Sequence, residues 1–131
     1  MMNQRILIVD GHPVYVKKVI GFLEGLTFQN IGLAETGRKG LDEIKANVPD
    51  LVIISSVLPD MDSLEVCKEI HRMTNAATKI IVQTGLFIDA SDIELFKANG
   101  AHAVLERKEK DLLPLQKAIE ELVFSDIKRR K

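Results

Sequence analysis

Five short apolar runs alternate along this chain with longer segments whose apolar residues have helical spacing. The runs are too brief for helices and contain many β-branched residues, which is typical of buried strands. Each longer segment has one apolar stripe suited to packing on a sheet, as in Val16, Val19, Ile20 and Leu23. The predicted strands are Arg5 to Val9, Asn30 to Ala34, Leu51 to Ile54, Lys79 to Val82 and Ala103 to Leu105.

This alternation restricts the fold because it requires parallel strands, right-handed crossovers and helices on both faces of the sheet. Residues at the segment ends agree with it. Pro13 suits the first turn of the first helix, and Asn99-Gly100 suits the end of the fourth. Asp62, Asp89 and Asp111 are predicted N-caps. We therefore predict an α/β fold, a (βα)5 doubly wound parallel sheet with strand order 2-1-3-4-5.

Length and composition indicate one globular domain. The 131 residues are 46% hydrophobic and 28% charged, and 18 basic against 19 acidic side chains leave a net charge of -1. No overall field therefore favours nucleic acid or an anionic membrane. The lone Cys67 forms no internal disulfide, and the N-terminal apolar run is too short for a signal peptide, so a cytoplasmic location is expected. Residues 1-126 are expected to form the domain and 127-131 a basic tail or the start of a linker.

Polar residues follow the carboxyl ends of four predicted strands. They are Asp10-Gly11 after the first strand, Ser55-Ser56 after the third, Thr84-Gly85 after the fourth and Glu106-Arg107-Lys108 after the fifth. In an open parallel sheet, ligands bind beyond the carboxyl ends of the strands, where the strand order reverses. Because the first and third strands are neighbours in the predicted order, Asp10 and Ser55 are expected to face each other across that crevice.

Four stretches resemble the receiver domain of two-component response regulators, in order and over essentially the whole chain: ILIVDGHPV, PDLVIISSVLPDMDSLEV, KIIVQTG and NGAHAVLERKEKDLL. The resemblance implies a flavodoxin-like fold. It also implies an acidic pair after the first strand that binds Mg²⁺ together with an aspartate ending the third. That aspartate accepts a phosphoryl group from a histidine kinase, and a Thr or Ser and a Lys hold the phosphoryl oxygens.

Only two positions of this site match the family's pattern, Asp10 for the first acid and Thr84 for the hydroxyl residue. Gly11 replaces the second acid, Ser55 the phosphoacceptor aspartate and Arg107 the lysine. One carboxylate and one neutral hydroxyl offer Mg²⁺ few ligands, and a serine without an adjacent base is a poor nucleophile. We interpret the site as a degenerate phosphorylation site with no metal, no cofactor and no catalytic residue.

Charge favours a direct contact between Arg107 and Asp10. A guanidinium can bind a carboxylate through two nitrogens and stays charged when buried, so Arg107 is expected to take the place of the metal. The alternative for Asp10 is local capping of the adjacent turn. Ser55 and Ser56 are expected to be structural hydroxyls bound to the backbone.

The apolar run Leu86-Phe87-Ile88 follows the fourth strand, on the rim of the crevice, where exposed polar residues are usual. It is interpreted either as a lid that folds over the crevice or as a contact patch for a partner.

The pattern indicates a pseudo-receiver, not an enzyme, that acts in two-component or phosphorelay signalling by protein-protein contact and independently of phosphorylation. The expected partner is an output domain, a kinase or another regulator. The family's usual contact surface corresponds to Ala90 to Phe124, which allows docking or a homodimer, with no membrane and no direct nucleic-acid contact. Two alternatives stay open: a regulatory domain of a DNA-binding transcription factor, and a flavodoxin-like nucleotide or flavin binder. The second lacks a phosphate cradle, since the first turn offers only Gly11 and Pro13.

Overall fold

The computed structural model describes residues 2–85 and 89–124, in which strands and helices alternate. The strands are β1 (Met2–Val9), β2 (Phe28–Ala34), β3 (Leu51–Ser55), β4 (Lys79–Thr84) and β5 (Ala103–Glu106). The helices are α1 (Pro13–Gly25), α2 (Gly37–Ala46), α3 (Ser63–Met73), α4 (Ala90–Ala98) and α5 (Leu113–Ile119), and a π-helical turn follows at Glu120–Phe124. Within this described part, none of the helices has the length and apolar character needed to span a bilayer.

The strands form one parallel sheet in the order β2-β1-β3-β4-β5. The predicted doubly wound architecture and strand order are confirmed. All five predicted strands are present, and each is longer than predicted at one end. The chain leaves β1 toward β2 on one side and reaches β3 on the other, so the strand order reverses beyond the carboxyl ends of β1 and β3.

Helices cover both faces of the sheet and bury the strands between two apolar layers. Ile6 and Ile8 of β1 pack in the layer formed with α1 and α5, whereas Leu7 and Val9 pack in the layer formed with α2, α3 and α4. Each fully buried aliphatic side chain of this size contributes about 2 kcal/mol to stability. Burial on both faces explains why the inner strands β1, β3 and β4 contain continuous apolar runs, at residues 6–9, 51–54 and 80–82, whereas the edge strands β2 and β5 are partly exposed. Cys67 lies in the second layer, where burial raises the pKa of its thiol to about 12.

Two of the three predicted N-caps are present. Asp62 and Asp89 precede α3 and α4, and each carboxylate accepts a hydrogen bond from a backbone N–H of its helix, at 2.9 and 3.0 Å. The prediction for Asp111 was wrong by one residue, because Leu112 is the N-cap of α5 and makes no side-chain cap bond. The Asp111 carboxylate instead accepts the N–H of Leu113 at 3.1 Å, the two-residue step that aspartate side chains make in turns.

The end of α4 depends on a glycine. Asn99 is the C-cap, and Gly100 follows with a φ of 108°, in the left-handed region that favours glycine. A Cβ at Gly100 would also lie 3.0 Å from the Cβ of His71 on α3. Gly100 therefore lets the chain leave α4 and approach α3 closely on its way to β5.

His102 connects the beginning of β5 to β4 through two hydrogen bonds. Its backbone N–H donates to the carbonyl of Ile80 at 2.8 Å, and its ring Nδ1 accepts the N–H of Ile80 at 3.1 Å. Burial, and then the nearby Lys79 and His71, lower the pKa of His102 below its usual value of 6.5. The fold therefore favours the neutral ring, because a protonated Nδ1 no longer accepts the bond.

This histidine should make the stability of the domain depend on pH. Since the pKa of His102 is lower in the folded state, the unfolded chain binds more protons as the pH falls below about 6.5. The contribution is complete above pH 6.5 and is lost as the pH falls toward the folded-state pKa. His102→Asn places an acceptor near the Nδ1 position without a titrating ring, so the loss between pH 7.5 and 5.5, measured by urea unfolding, should be smaller than in the wild type.

His71→Asn is the comparison variant, because His71 lies on the surface nearby and accepts no bond from β4 in the described residues. Since His71 is the smallest of the three causes that lower the pKa of His102, this variant should change the pH dependence less than His102→Asn. An equal loss of unfolding free energy in the wild type and in His102→Asn would show that the ring of His102 does not contribute this pH dependence.

Candidate functional site

The carboxyl ends of the central strands meet at one edge of the sheet and form the predicted crevice. Strands β1 and β3 are paired as far as Val9 and Ile54, so the next residues, Asp10 and Ser55, lie beside each other. Arg107 follows β5, and its backbone N–H donates to the carbonyl of Thr84 on β4 at 2.6 Å. The sheet thus brings Asp10, Ser55, Thr84 and Arg107 to the same edge.

Arg107 contacts Asp10 directly across the crevice. Its Nη2 lies 2.9 Å from Oδ2 of Asp10 and 3.2 Å from Oγ of Ser55. The side chains are largely removed from solvent, with 4% of Asp10 and 15% of Arg107 exposed. The contact is made through one nitrogen and not through the two that the charge argument had suggested, and the same nitrogen also binds Ser55. Arg107 therefore links the ends of β5, β3 and β1.

The second carboxylate oxygen of Asp10 binds His12. Oδ1 accepts the backbone N–H of His12 at 3.0 Å, and the ring Nδ1 of His12 lies 2.6 Å from the same oxygen. Asp10 therefore makes both of the contacts weighed for it, local capping through one oxygen and the ion pair through the other. The ring contact was missed. An aspartate side chain commonly binds the backbone N–H two residues on, but that spacing does not indicate that the ring of His12 reaches the same oxygen.

Tyr15 of α1 lies under the guanidinium of Arg107, whose Cζ is 4.7 Å from the ring centroid. The tyrosine is 2% exposed, and its hydroxyl bonds to Oε1 of Gln83 on β4. Burial raises the pKa of Tyr15 to about 12, against the opposing effect of Arg107, so the phenol is neutral at neutral pH. A cation over an aromatic face in a dry site is stabilising. Tyr15 and Gln83 were also missed, although this is the one tyrosine of the chain and the glutamine interrupts an apolar strand.

The side-chain hydroxyls of Ser55 and Thr84 at the strand ends form hydrogen bonds with the backbone. Ser55 Oγ donates to the carbonyl of Val57 at 3.0 Å and accepts the N–H of Val57 at 3.2 Å, while Thr84 Oγ1 donates to the carbonyl of Leu105 at 3.4 Å. Ser56 contributes its backbone, since its carbonyl accepts the hydroxyl of Ser63 at 2.7 Å. The hydroxyl proton of Ser55 therefore already has an acceptor. In the described part of the chain, its oxygen contacts the backbone of Val57 and the guanidinium of Arg107, and neither can act as a base.

The donor set of the crevice does not fit Mg²⁺. Asp10 is the buried carboxylate at the strand ends, whereas Glu35 after β2 and Glu106 at the end of β5 are exposed. Donors from Arg107 and His12 already bind the two oxygens of Asp10. Gly11 carries no ligand, and a Cβ added there would lie 3.1 Å from the carbonyl oxygen of Glu35. Across residues 2–85 and 89–124, no group of three or more His, Cys, Asp or Glu side chains is arranged to hold a metal ion. Mg²⁺ requires a near-octahedral set of oxygens, whereas a guanidinium stands here.

The run Leu86-Phe87-Ile88 lies outside the described residues. Its interpretation as a lid or as a contact patch stays a prediction.

Comparison with known proteins gives concordant matches. The family model of the response regulator receiver domain matches residues 6–120. Response regulator MprA of Mycolicibacterium vanbaalenii is 32% identical over 122 residues, which are 93% of this chain and 48% of MprA. Chemotaxis protein CheY of Thermotoga maritima is 28% identical over 105 residues, which are 80% of this chain and 87% of CheY.

A solved CheY-like receiver domain protein from Methanospirillum hungatei has a TM-score of 0.80 and 26% identity, with 97% of this chain and 99% of that one covered. The chain thus spans nearly the whole of that solved chain and most of CheY. It spans about half of MprA and less than half of several other curated relatives.

The ion pair should contribute strongly to stability because its two charges are mostly buried. Arg107→Met leaves the carboxylate of Asp10 without its cation and should lower the unfolding free energy by about 3 kcal/mol. Adding Asp10→Asn removes the stranded charge and should restore most of that loss. Lys68→Met, which breaks the exposed pair with Glu65, is the matched control and should cost less than about 1 kcal/mol. Urea unfolding measures all four proteins, and equal losses for Arg107→Met and Lys68→Met would contradict a buried, coupled pair.

Proposed function

The chain belongs to the response regulator receiver domain family of two-component signalling, and from that membership we propose that it is a pseudo-receiver. In this role it acts by contact with other proteins and does not depend on phosphorylation. Its edge of the sheet holds an ion pair where the resemblance implies a metal and a phosphoaspartate. The observation that carries the proposal is the position of Arg107, with Nη2 2.9 Å from Asp10 and 3.2 Å from Ser55.

Charge balance supports a crevice that works without metal. The site implied by the family has three carboxylates, one lysine and a divalent cation, and these charges cancel. Here one carboxylate and one guanidinium cancel, and both are held in place by further partners, His12 for Asp10 and Tyr15 for Arg107. An added divalent ion would meet a fixed positive charge at the strand ends, which disfavours its entry.

The chemistry of Ser55 supports independence from phosphoryl transfer. An acyl phosphate needs a carboxylate, and the position that would supply it holds a serine that is 2% exposed. Its hydroxyl proton is donated to a carbonyl, and a serine needs an adjacent base to become a good nucleophile. We therefore propose that the site holds the sheet edge in one fixed arrangement and catalyses no reaction.

Protein contact is proposed through the face formed by α4, β5 and α5, within Ala90 to Phe124. Phe96 is the buried residue of α4, so most of that helix is open to a partner. Leu95 and Leu113 are 49% and 53% exposed, which is high for large apolar side chains. The partner proposed for this face is an output domain, a kinase or another regulator, and a homodimer through the same face is the variant of this proposal.

A second candidate is the regulatory half of a longer DNA-binding regulator. The observation in its favour is that the chain matches 48% of response regulator MprA over 93% of its own length. In that case the receiver face would dock on an output domain of the same protein.

Acetyl phosphate tests whether the site accepts a phosphoryl group. The chain incubated with acetyl phosphate and Mg²⁺ should show no labile phosphoryl adduct in its intact mass, because no carboxylate stands at the acceptor position. An active receiver domain treated in parallel is the control for the reagent. A labile adduct that hydroxylamine removes and that maps to an aspartate of the crevice would contradict the pseudo-receiver function.

A further inference from the structure

Strand β2 forms one outer edge of the sheet, and in the described part of the chain it pairs with β1 alone. The carbonyl of Ala34 accepts the N–H of Asp10 at 2.9 Å, so the backbone polar groups of Ala34 point toward β1. These groups alternate in direction along a strand. The N–H and C=O groups of Gln29, Ile31 and Leu33 therefore point away from the sheet, as a row of donors and acceptors suited to another strand.

This edge lacks the features that usually protect edge strands from pairing with other chains. Edges are commonly blocked by charged side chains, proline, bulges or short length. The seven residues of β2, FQNIGLA, contain no charge and no proline, and the register irregularity lies on the β1 side, between Met2 and Arg5. The opposite edge of the sheet is different, because β5 has four residues and ends at Glu106, next to Arg107.

An open apolar groove borders this edge between α1 and β2. Its volume is about 550 Å³, and Val16, Ile20, Gly21 and Leu33 are among its lining residues. Gly21 leaves space there, since a Cβ added to it would have no atom within 4 Å. Leu33 is 44% exposed beside the outward backbone groups. A strand added to β2 would cover this apolar surface as well as satisfy the backbone.

The charges along the groove distinguish between the possible arrangements of an added copy. Lys17 and Glu24 both line this groove, and Glu24 also lines a neighbouring groove together with Gln29. Because α1 runs opposite to β2, Lys17 in its second turn lies toward the carboxyl end of β2, and Glu24 in its last turn lies toward the amino end. An antiparallel copy places Lys17 of each chain near Glu24 of the other, which gives two favourable pairs. Two other acids line the groove. Asp10 is already paired with Arg107, and Glu35 then lies opposite the neutral Thr27 of the second copy, whereas a parallel arrangement would oppose like charges.

We infer that two copies of this chain associate through antiparallel pairing of their β2 strands. With the two-fold axis at Ile31, Gln29 of each copy faces Leu33 of the other, and all three outward residues of one strand meet outward residues of the partner strand. This register satisfies the hydrogen-bond pattern of an antiparallel pair. The two sheets become one continuous sheet, and the surface Ala90 to Phe124 stays open to a different partner on each copy.

Charge reversal at the edge tests this pairing. Gln29→Lys with Leu33→Lys places lysines opposite lysines, and Gln29→Glu with Leu33→Glu places glutamates opposite glutamates; both positions are exposed, so the fold should tolerate them. By light scattering after size exclusion, the wild type should be a dimer and each double variant a monomer. An equimolar mixture of the two should form a heterodimer, because every facing pair is then complementary.

Leu95→Lys is the matched control, because Leu95 is similarly exposed on the other proposed contact face. This variant should remain a dimer. A wild type that is monomeric at high concentration, or a dimer that Leu95→Lys dissociates and the edge charges do not, would overturn the inference.

Hydrogen exchange gives a test on the unaltered chain. The amides of Gln29, Ile31 and Leu33 should gain protection as the chain concentration rises, since they acquire acceptors only in the dimer. Rapid exchange at every concentration would overturn the pairing. Protection that appears only on addition of another protein would assign the edge to a strand of that protein and would equally overturn self-association.

Discussion

The crevice depends on one buried carboxylate, that of Asp10 at the end of the central strand β1. Only 4% of its side chain is exposed. A buried charge is costly unless it is paired and hydrogen-bonded. Asp10 meets this requirement with a guanidinium on one oxygen and His12 on the other. Because the guanidinium comes from Arg107, 97 residues further along the chain, pairing the charge also joins the end of β5 to β1 and β3.

The surroundings of the guanidinium hold it in this position. The ring of Tyr15 lies beneath it, and the hydroxyl of Tyr15 bonds to Gln83 in β4. The side chain of Arg107 thus contacts, directly or through Tyr15, residues in or next to four of the five strands and α1. In a receiver with a metal site, ligand binding at these strand ends would change their contacts. In this chain Arg107 already makes contacts at these strand ends without a ligand, as the proposed pseudo-receiver function requires.

Much of the fold could be predicted from the sequence because the alternation of apolar runs and helical stripes reflects burial on both faces of a sheet. The sequence also allowed us to predict that Asp10, Ser55 and Arg107 lie close together, because the carboxyl ends of parallel strands share one edge. The position of Tyr15 under Arg107 could not be predicted. Helical spacing places a residue on the buried face of its helix but does not indicate which strand residue it contacts. The N-cap of α5 was misplaced at Asp111 because an aspartate can bond the N–H two residues on without beginning the helix. Likewise, spacing gave no reason to place the ring of His12 on Asp10.

The effect of Mg²⁺ on the melting temperature tests most directly whether Arg107 occupies the place of a metal. A ligand that binds only the folded state raises the melting temperature. The melting temperature of the wild type should not change with Mg²⁺. A triple variant that combines Gly11→Asp, Ser55→Asp and Arg107→Lys should melt at a lower temperature without metal, because its carboxylates repel one another. Its melting temperature should rise when Mg²⁺ is added. The close approach of position 11 to the carbonyl of Glu35 requires a small movement there, so the fold of the triple variant is checked by circular dichroism. A rise in the wild type equal to that of the triple variant would contradict the claim.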